Sequence, residues 1–327
     1  MNQNNKSVGV IGLGLMGSSI VSAMVIYGYD VIALAPMPQD EEKGPGRVLH
    51  ALTEAFHQGI HTHDVTALHA RVKYTTDYND LKDCFLISEN VIENLDVKRK
   101  VFKQVESVVS PDAIISTNTS AIPITILQEP LKHPARFLGL HWAEPAFTNA
   151  FLEIICGPLT DITIAESLYQ TGETWGKLPT LLRKDIRGFI TNRLMYAMYR
   201  EGFNLVQHGY ATMEDIDRTT RNDAGRWMSF CGMFRYMDLT GLQAYYHVMK
   251  DLFPTLTNNP ETPPFVEKIA KAGGNGITNG HGFYDYTPEE AEEWGKTFEE
   301  FAYDINAMMK KYPHDVIAKR LKEKKKG

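Results

Sequence analysis

Cysteine is scarce in this chain. Cys84, Cys156 and Cys231 are the only three among 327 residues, and none stands at CxxC spacing. That excludes a disulfide framework or a thiolate metal site as the basis of the fold and suits a reducing cytoplasm. A basic excess is missing too. The 34 Lys and Arg are outnumbered by 40 Asp and Glu, for a net charge of −6, so no long-range field draws the chain to nucleic acid or to an anionic membrane. One basic patch, Lys319, Arg320, Lys322 and Lys324 to Lys326, reads as a solvated terminus. The apolar stretch from Val8 to Ala35 is interrupted by Gly, Ser and Tyr and is closed by no small-residue cleavage pattern, so it reads as neither a membrane span nor a signal peptide. Repeats of solenoid period and low-complexity segments are absent. His50, His57, His61, His63 and His69 crowd one segment, but no carboxylate or thiolate completes a ligand set, and no metal is expected.

What is present is ordinary globular material. Hydrophobic residues make up 43% and charged residues 23%, enough for a core in each of two domains, the number this length suggests. From Val8 the chain reads as a buried strand (VGVIG), a Gly-rich turn, a helix from Met16 to Tyr27 and a second apolar strand (DVIALA), which is a βαβ unit. After a polar and helical segment to about Asp83, apolar runs return at CFLIS, AIIST, RFLGLHW and FLEIIC. This alternation predicts an α/β, doubly wound, Rossmann-like domain over residues 1–184. Beyond it the strand signals fade. Amphipathic patterns over Asn192 to His208, Leu239 to Phe253 and Pro288 to Met309 predict an all-α domain over 185–327.

Gly12-Leu13-Gly14-Leu15-Met16-Gly17 is a GxGxxG between the first strand and the first helix. The first glycine permits the tight turn, the second admits a pyrophosphate to the backbone, and the third lets helix and strand pack closely, with the helix N-terminus at Leu15 and Met16 attracting the phosphate charge. A nicotinamide dinucleotide is the expected cofactor. The acid that usually ends the second strand and holds the adenosine ribose is replaced by Ala35. Asp40 or Glu41 can supply that acid for NAD, and Arg47 or Lys43 can supply a cation for the extra phosphate of NADP; NAD is the expected cofactor, with NADP left open.

Two further residues point to chemistry. His141 in GLHWAEP stands just after a strand, and Glu153 lies inside the apolar run FLEII, where a carboxylate is costly unless paired. An imidazole is a suitable partner, since a carboxylate on one ring nitrogen fixes the tautomer and frees the other to take a proton. A structural histidine fits the same pattern.

The ordered series GLGLMG, SENVIENL with Lys98, STNTS, GLHWAEP, FLEII, RGFITNRL and GHGFYDY resembles the 3-hydroxyacyl-CoA dehydrogenase family along nearly the whole chain. The resemblance implies a Rossmann-like N-terminal domain and a helical C-terminal domain that makes a homodimer. It implies that His141 is the catalytic base, that Glu153 orients it, and that Ser120 and Asn192 position the reacting oxygen. Glu93, Lys98, Asn118 and Ser120 match cofactor-contacting positions, beside Gly12, Gly14, Leu15, Met16 and Gly17. The implied reaction moves a hydride between C3 of a 3-hydroxyacyl-CoA and the nicotinamide. The chain departs from the family at Trp142, Ala143 and Glu144, where aromatic residues and Asn are usual, and at Arg187, where Pro is usual. Residues 38–73, where the family grips CoA, are short and rich in Gly and His. Arg226 and Trp227 in GRWMSFCG resemble relatives that oxidise small free hydroxy acids, as carnitine and gulonate dehydrogenases do, so Glu144, Arg226 and Trp227 are candidate substrate contacts. A non-catalytic, crystallin-like protein or a sensor of cofactor state is the reading from a different class.

Overall fold

The computed structural model describes residues 7–313 and 315–325. Its chain divides into two compact units, Met1–Arg193 and Leu194–Gly327.

The first unit is built on eight strands: β1 (Ser7–Ile11), β2 (Asp30–Leu34), β3 (Val72–Thr75), β4 (Leu86–Glu89), β5 (Ile114–Thr117), β6 (Phe137–Trp142), β7 (Phe151–Cys156) and β8 (Leu178–Leu182). They form one sheet in the order β3-β2-β1-β4-β5-β6-β7-β8. Six helices alternate with them: α1 (Leu15–Ile26), α2 (Pro38–His57), α3 (Val65–His69), α4 (Leu95–Val108), α5 (Ile124–Gln128) and α6 (Ile162–Thr174). The doubly wound α/β arrangement read from the sequence is present.

Apolar clusters cover both faces of the sheet. Val8, Val10, Leu138, Leu140, Leu152 and Ile154 meet Ile20, Met24, Leu52 and Leu168 on one side. On the other, Ile11, Ile87, Ile115 and Ile155 meet Phe102, Val105 and Leu127. Burial on both faces is why the central strands read as nearly continuous apolar runs.

Every neighbouring pair of strands is parallel except β6 and β7, which are antiparallel. Only residues 143–150 join those two strands, too few for the crossover of about a dozen residues that a parallel pair requires. The reversal puts His141 directly opposite Glu153 in the register. His141 therefore lies inside β6, not after it as the sequence suggests, because the strand runs on to Trp142.

Two strands escape the sequence reading. β3 falls in the stretch taken as polar and helical, and β8 carries Pro179; they are the two edges of the sheet. An edge strand is half solvated and tolerates proline, so its apolar signal is weak.

The regular elements among the described residues of the second unit are helices, beside isolated bridges that pair His281 with Gly276 and with Asp285. The unit comprises the rest of α7 (Thr191–Gln207), then α8 (Met213–Asn222), α9 (Ala224–Thr240), α10 (Leu242–Leu252), α11 (Pro264–Lys271), α12 (Pro288–Lys311) and α13 (Val316–Lys324). α9 is broken at Gly232, whose φ is +66°. No described residue of this unit is buried. No helix among the described residues is long and apolar enough to cross a membrane.

Candidate active site

In the first unit the C-terminal ends of β1, β4, β5 and β6 share one edge of the sheet, the usual ligand side of an open α/β sheet. The glycine-rich turn lies at the end of β1. Gly12 has φ +87°, and a Cβ there would stand 2.8 Å from the Asn90 carbonyl oxygen. At Gly17 a Cβ would stand 1.8 Å from the Gly12 oxygen, so α1 and the turn touch only because no side chain intervenes. A Cβ on Gly14 would meet nothing within 4 Å. The second glycine thus faces open space at the start of α1, where the N–H groups of the first turn lack intrahelical acceptors. A pyrophosphate fits that cradle by both shape and charge.

β4 ends in Glu89, which is fully buried. Its carboxylate accepts from Lys98 Nζ at 2.8 and 3.0 Å, from the Thr117 hydroxyl at 2.6 Å and from the Val91 N–H at 2.7 Å. Burial pushes the Glu89 carboxyl up, and the Lys98 charge and these donors pull against that rise. Lys98, also buried, reaches Glu93 at 3.3 Å. Glu93 in turn accepts from the Thr119 hydroxyl and from the Ala121 N–H. Burial alone would raise the Glu93 carboxyl, but the Thr119 hydroxyl, the Lys98 charge and the Ala121 N–H hold it below the usual carboxylate range. The carboxylate of Glu93 thereby fixes the loop after β5 that carries Ser120. Asn118, in the same loop, accepts from the Trp142 N–H at 2.8 Å and so ties the end of β5 to the end of β6.

Ser120 Oγ lies 3.0 Å from His141 Nε2. On the other side of the ring, Nδ1 is 3.0 Å from Glu153 Oε2. Glu153 is 1% exposed, and its second oxygen accepts from the Ile190 and Thr191 N–H groups, each at 3.1 Å. Those N–H groups open α7, so the buried carboxylate sits at a helix N-terminus, where negative charge is favoured. Asn192, on the first turn of α7, donates from Nδ2 to the Ser120 carbonyl at 2.8 Å. Phe151 packs edge-on to the imidazole with ring centroids 5.4 Å apart, and Phe189 lies at 5.7 Å.

All four residues expected to do chemistry are thus brought together. The sequence reading missed Glu89, Phe151 and Phe189. Phe189 is the single described non-glycine residue with positive φ, at 53°, strain that the buried ring beside His141 accounts for. Its signal in the sequence is weak, a bulky residue following Gly188 in RGFIT. Glu89 was legible as an acid at the end of an apolar run, although its partner lies nine positions on.

The other candidates belong to the connection after β6 and to the second unit. Glu144 is exposed overall, yet nearby protein desolvates its carboxyl and pushes it up; Glu54 adds to the rise, and a hydrogen bond with Ser19 opposes it. Lys177 is buried beneath the connection that carries Glu144. Its Nζ donates to the Ala146 and Asn149 carbonyls and lies 5.1 Å from the Trp142 ring centroid. Arg226 and Trp227 begin α9 in the second unit, where Arg226 is exposed and Trp227 stacks on Tyr236 at 4.4 Å. Among the described residues, no group of three His, Cys, Asp or Glu could hold a metal ion.

Residues 7–186 match the family model described as 3-hydroxyacyl-CoA dehydrogenase, NAD binding domain, and residues 188–286 match its C-terminal domain. A probable 3-hydroxybutyryl-CoA dehydrogenase of Deinococcus radiodurans is 33% identical over 85% of this chain and 99% of its own. Among solved structures, 5-formyl-3-hydroxy-2-methylpyridine 4-carboxylic acid 5-dehydrogenase, described as an NAD+ dependent dismutase, covers 94% of this chain and 99% of its own at 28% identity, with a TM-score of 0.87. The (S)-3-hydroxybutyryl-CoA dehydrogenase PaaH1 of Ralstonia eutropha covers 87% and 100% at 29% identity, with a TM-score of 0.72.

Proposed function

Because the chain belongs to the 3-hydroxyacyl-CoA dehydrogenase family and is an oxidoreductase of it, we propose that it moves a hydride between a nicotinamide cofactor and C3 of a 3-hydroxyacyl-CoA. The observation that carries this reading is the hydrogen-bonded series Ser120–His141–Glu153, a general base with one nitrogen held by a buried carboxylate and the other facing a hydroxyl.

In the oxidative direction His141 Nε2 takes the proton of the C3 hydroxyl while Glu153 holds Nδ1–H and stabilises the imidazolium. Ser120 Oγ, already at hydrogen-bond distance from Nε2, marks the place of the substrate oxygen and donates to it. Asn192 acts on the same loop, since its amide grips the Ser120 carbonyl. Phe151 and Phe189 keep water from the ring. The nicotinamide, when bound, supplies the hydride acceptor. The glycine turn and the N-terminus of α1 at Leu15 and Met16 would receive the pyrophosphate of the dinucleotide, and Glu93 and Asn118 would contact the cofactor elsewhere. Lys98, with only 1% of its side chain exposed, acts through Glu93. Reduction runs the same proton step in reverse, with the imidazolium as acid.

A second reading, the same chemistry on a small free hydroxy acid without CoA, is favoured by one observation. The solved structure most alike in shape of the two described above carries a pyridine carboxylate in its name rather than a thioester. In that case Glu144, Arg226 and Trp227 are the residues to vary.

The working form is a homodimer. Among the described residues of the second unit none is buried to serve as a core, while Phe234, Leu239, Trp294, Phe298 and Phe301 are each more than half exposed. A second copy of the chain is the cover that the family resemblance implies.

The test follows reduced-nicotinamide absorbance with acetoacetyl-CoA and then with free 3-oxo and 3-hydroxy acids. Turnover of the thioester is expected. Turnover of free acids alone would replace the first reading with the second, and cofactor binding without turnover of any would favour a non-catalytic role.

A further inference from the structure

At the adenosine end of the dinucleotide site the usual carboxylate is absent, for β2 is followed by Ala35, which is 4% exposed. Ile11 pairs with Leu34, and the Gly12 N–H donates to the Leu34 carbonyl at 2.9 Å. Leu13, the next residue of the turn, therefore follows directly on the contact between β1 and the end of β2. Two charged side chains arrive at Leu13 from another direction. α2 lies directly against the turn: a Cβ on Gly44 would come within 2.7 Å of Leu13 Cδ1, so the approach requires glycine. Asp40, Gly44 and Arg47 are spaced i, i+4, i+7 and share one face of that helix. Asp40 Oδ2 accepts from the Leu13 N–H at 3.1 Å, and Arg47 Nη1 donates to the Leu13 carbonyl at 2.7 Å. Arg47 Nη1 stands 3.7 Å from Asp40 Oδ1. Glu41 and Lys43, on the same helix, are exposed.

We propose that Asp40 replaces the missing acid at the end of β2, receiving the adenosine ribose hydroxyls and repelling a 2′-phosphate, and that it also restrains Arg47, the cation able to bind that phosphate. The proposal rests on the reading of the turn as a nicotinamide dinucleotide site. Asp40 Oδ1 is farther from Arg47 than a hydrogen bond allows, so it retains acceptor capacity for a ribose hydroxyl. A dianionic phosphate at the same place would face that carboxylate at short range. Without the carboxylate's charge it would face the Arg47 guanidinium, whose fork suits phosphate oxygens. One residue thus sets the preference for NAD over NADP, and its neighbour is poised to reverse it.

The test measures binding, not turnover. NADH and NADPH are titrated by fluorescence into the full-length wild type and into Asp40→Asn, Arg47→Ala and the double variant. Asparagine keeps an acceptor for the Leu13 N–H, so the fold of the turn is retained. The wild type is expected to bind NADH more tightly than NADPH. In Asp40→Asn, NADH binding weakens about tenfold, the scale of a lost charged hydrogen bond, and NADPH binding tightens by at least as much. Adding Arg47→Ala removes the NADPH gain, while Arg47→Ala alone leaves the wild-type preference in place. An unchanged NADH-to-NADPH ratio in Asp40→Asn, or a wild type that prefers NADPH, overturns the proposal alone. A wild type that binds neither nucleotide overturns the cofactor reading and the proposal with it.

Discussion

Replacing Glu153 with glutamine isolates the electrostatic half of the candidate dyad. Both oxygens of Glu153 are committed, one to His141 Nδ1 and the other to the Ile190 and Thr191 N–H groups. Glutamine keeps an oxygen for the two backbone donors and turns an amide N–H toward the ring. Nδ1 must then accept, the ring proton moves to Nε2, and the nitrogen that should take the substrate proton becomes a donor. The imidazolium also loses a charge-assisted hydrogen bond, a contribution of about 1.5–3 kcal/mol. With the tautomer penalty added, the barrier rises by roughly 3–5 kcal/mol, or about 10²–10⁴ in kcat. Stopped-flow reduced-nicotinamide absorbance at saturating substrate reads this directly, and an NADH titration should show cofactor affinity unchanged. Glu153→Ala is less informative, because it removes the acceptor of the Ile190 and Thr191 N–H groups together with the partner of His141 and so mixes unfolding with chemistry. Turnover by Glu153→Gln within about threefold of wild type, with cofactor bound normally, would refute the role given to the carboxylate.

Lys98→Met should destabilise the fold by about 3–5 kcal/mol, since it leaves the Glu89 charge buried and unpaired, and urea unfolding should show Glu89→Gln/Lys98→Met recovering much of the loss; no recovery would mean that the pair is not the cause. Gly17→Ala places a methyl 1.8 Å from the Gly12 oxygen and so should displace the turn and weaken NADH binding while the helical unit keeps its circular dichroism; unchanged binding would remove the turn from the cofactor site. Burial pulls the Lys177 ammonium down to about 7 from 10.5, so between those pH values the unfolded chain retains a proton that the folded chain has released. Folding stability contributed at this position therefore rises with pH across that window, and the unfolding free energy of wild type minus that of Lys177→Met should climb from pH 7 to pH 10. A flat or falling difference would show that the amine stays charged where it is buried.

Much of the first unit was legible because its central strands are buried on both faces and because Gly12 and Gly17 of the turn are required by contact. His141 and Glu153 were legible for a related reason, as polar residues inside apolar runs that need a partner. Their direct opposition follows from the register of β6 and β7, and its sequence signal is the short connection over 143–150, which demands an antiparallel turn. β3 and β8 were hidden by their place at the sheet edges, where half the residues face water. Glu89 gives less signal, because the lysine that neutralises it comes from the next helix. The residue standing in for the β2 acid stays open between Asp40 and Glu41 in the sequence, because only the packing of Gly44 on Leu13 sets which face of α2 meets the turn. Phe189 could not be anticipated, since a left-handed phenylalanine is a local cost met by contacts distant in sequence.

The most direct test of His141 as the base is a single-turnover measurement on His141→Asn. Reduced-nicotinamide absorbance is followed after mixing the cofactor-loaded enzyme with saturating substrate, and the same sample is titrated with NADH. A His141 base requires the rate to fall by about 10²–10⁴ while NADH binds as in the wild type. A rate within a few-fold of wild type, with the cofactor bound normally, would contradict it and would place the proton transfer on another group.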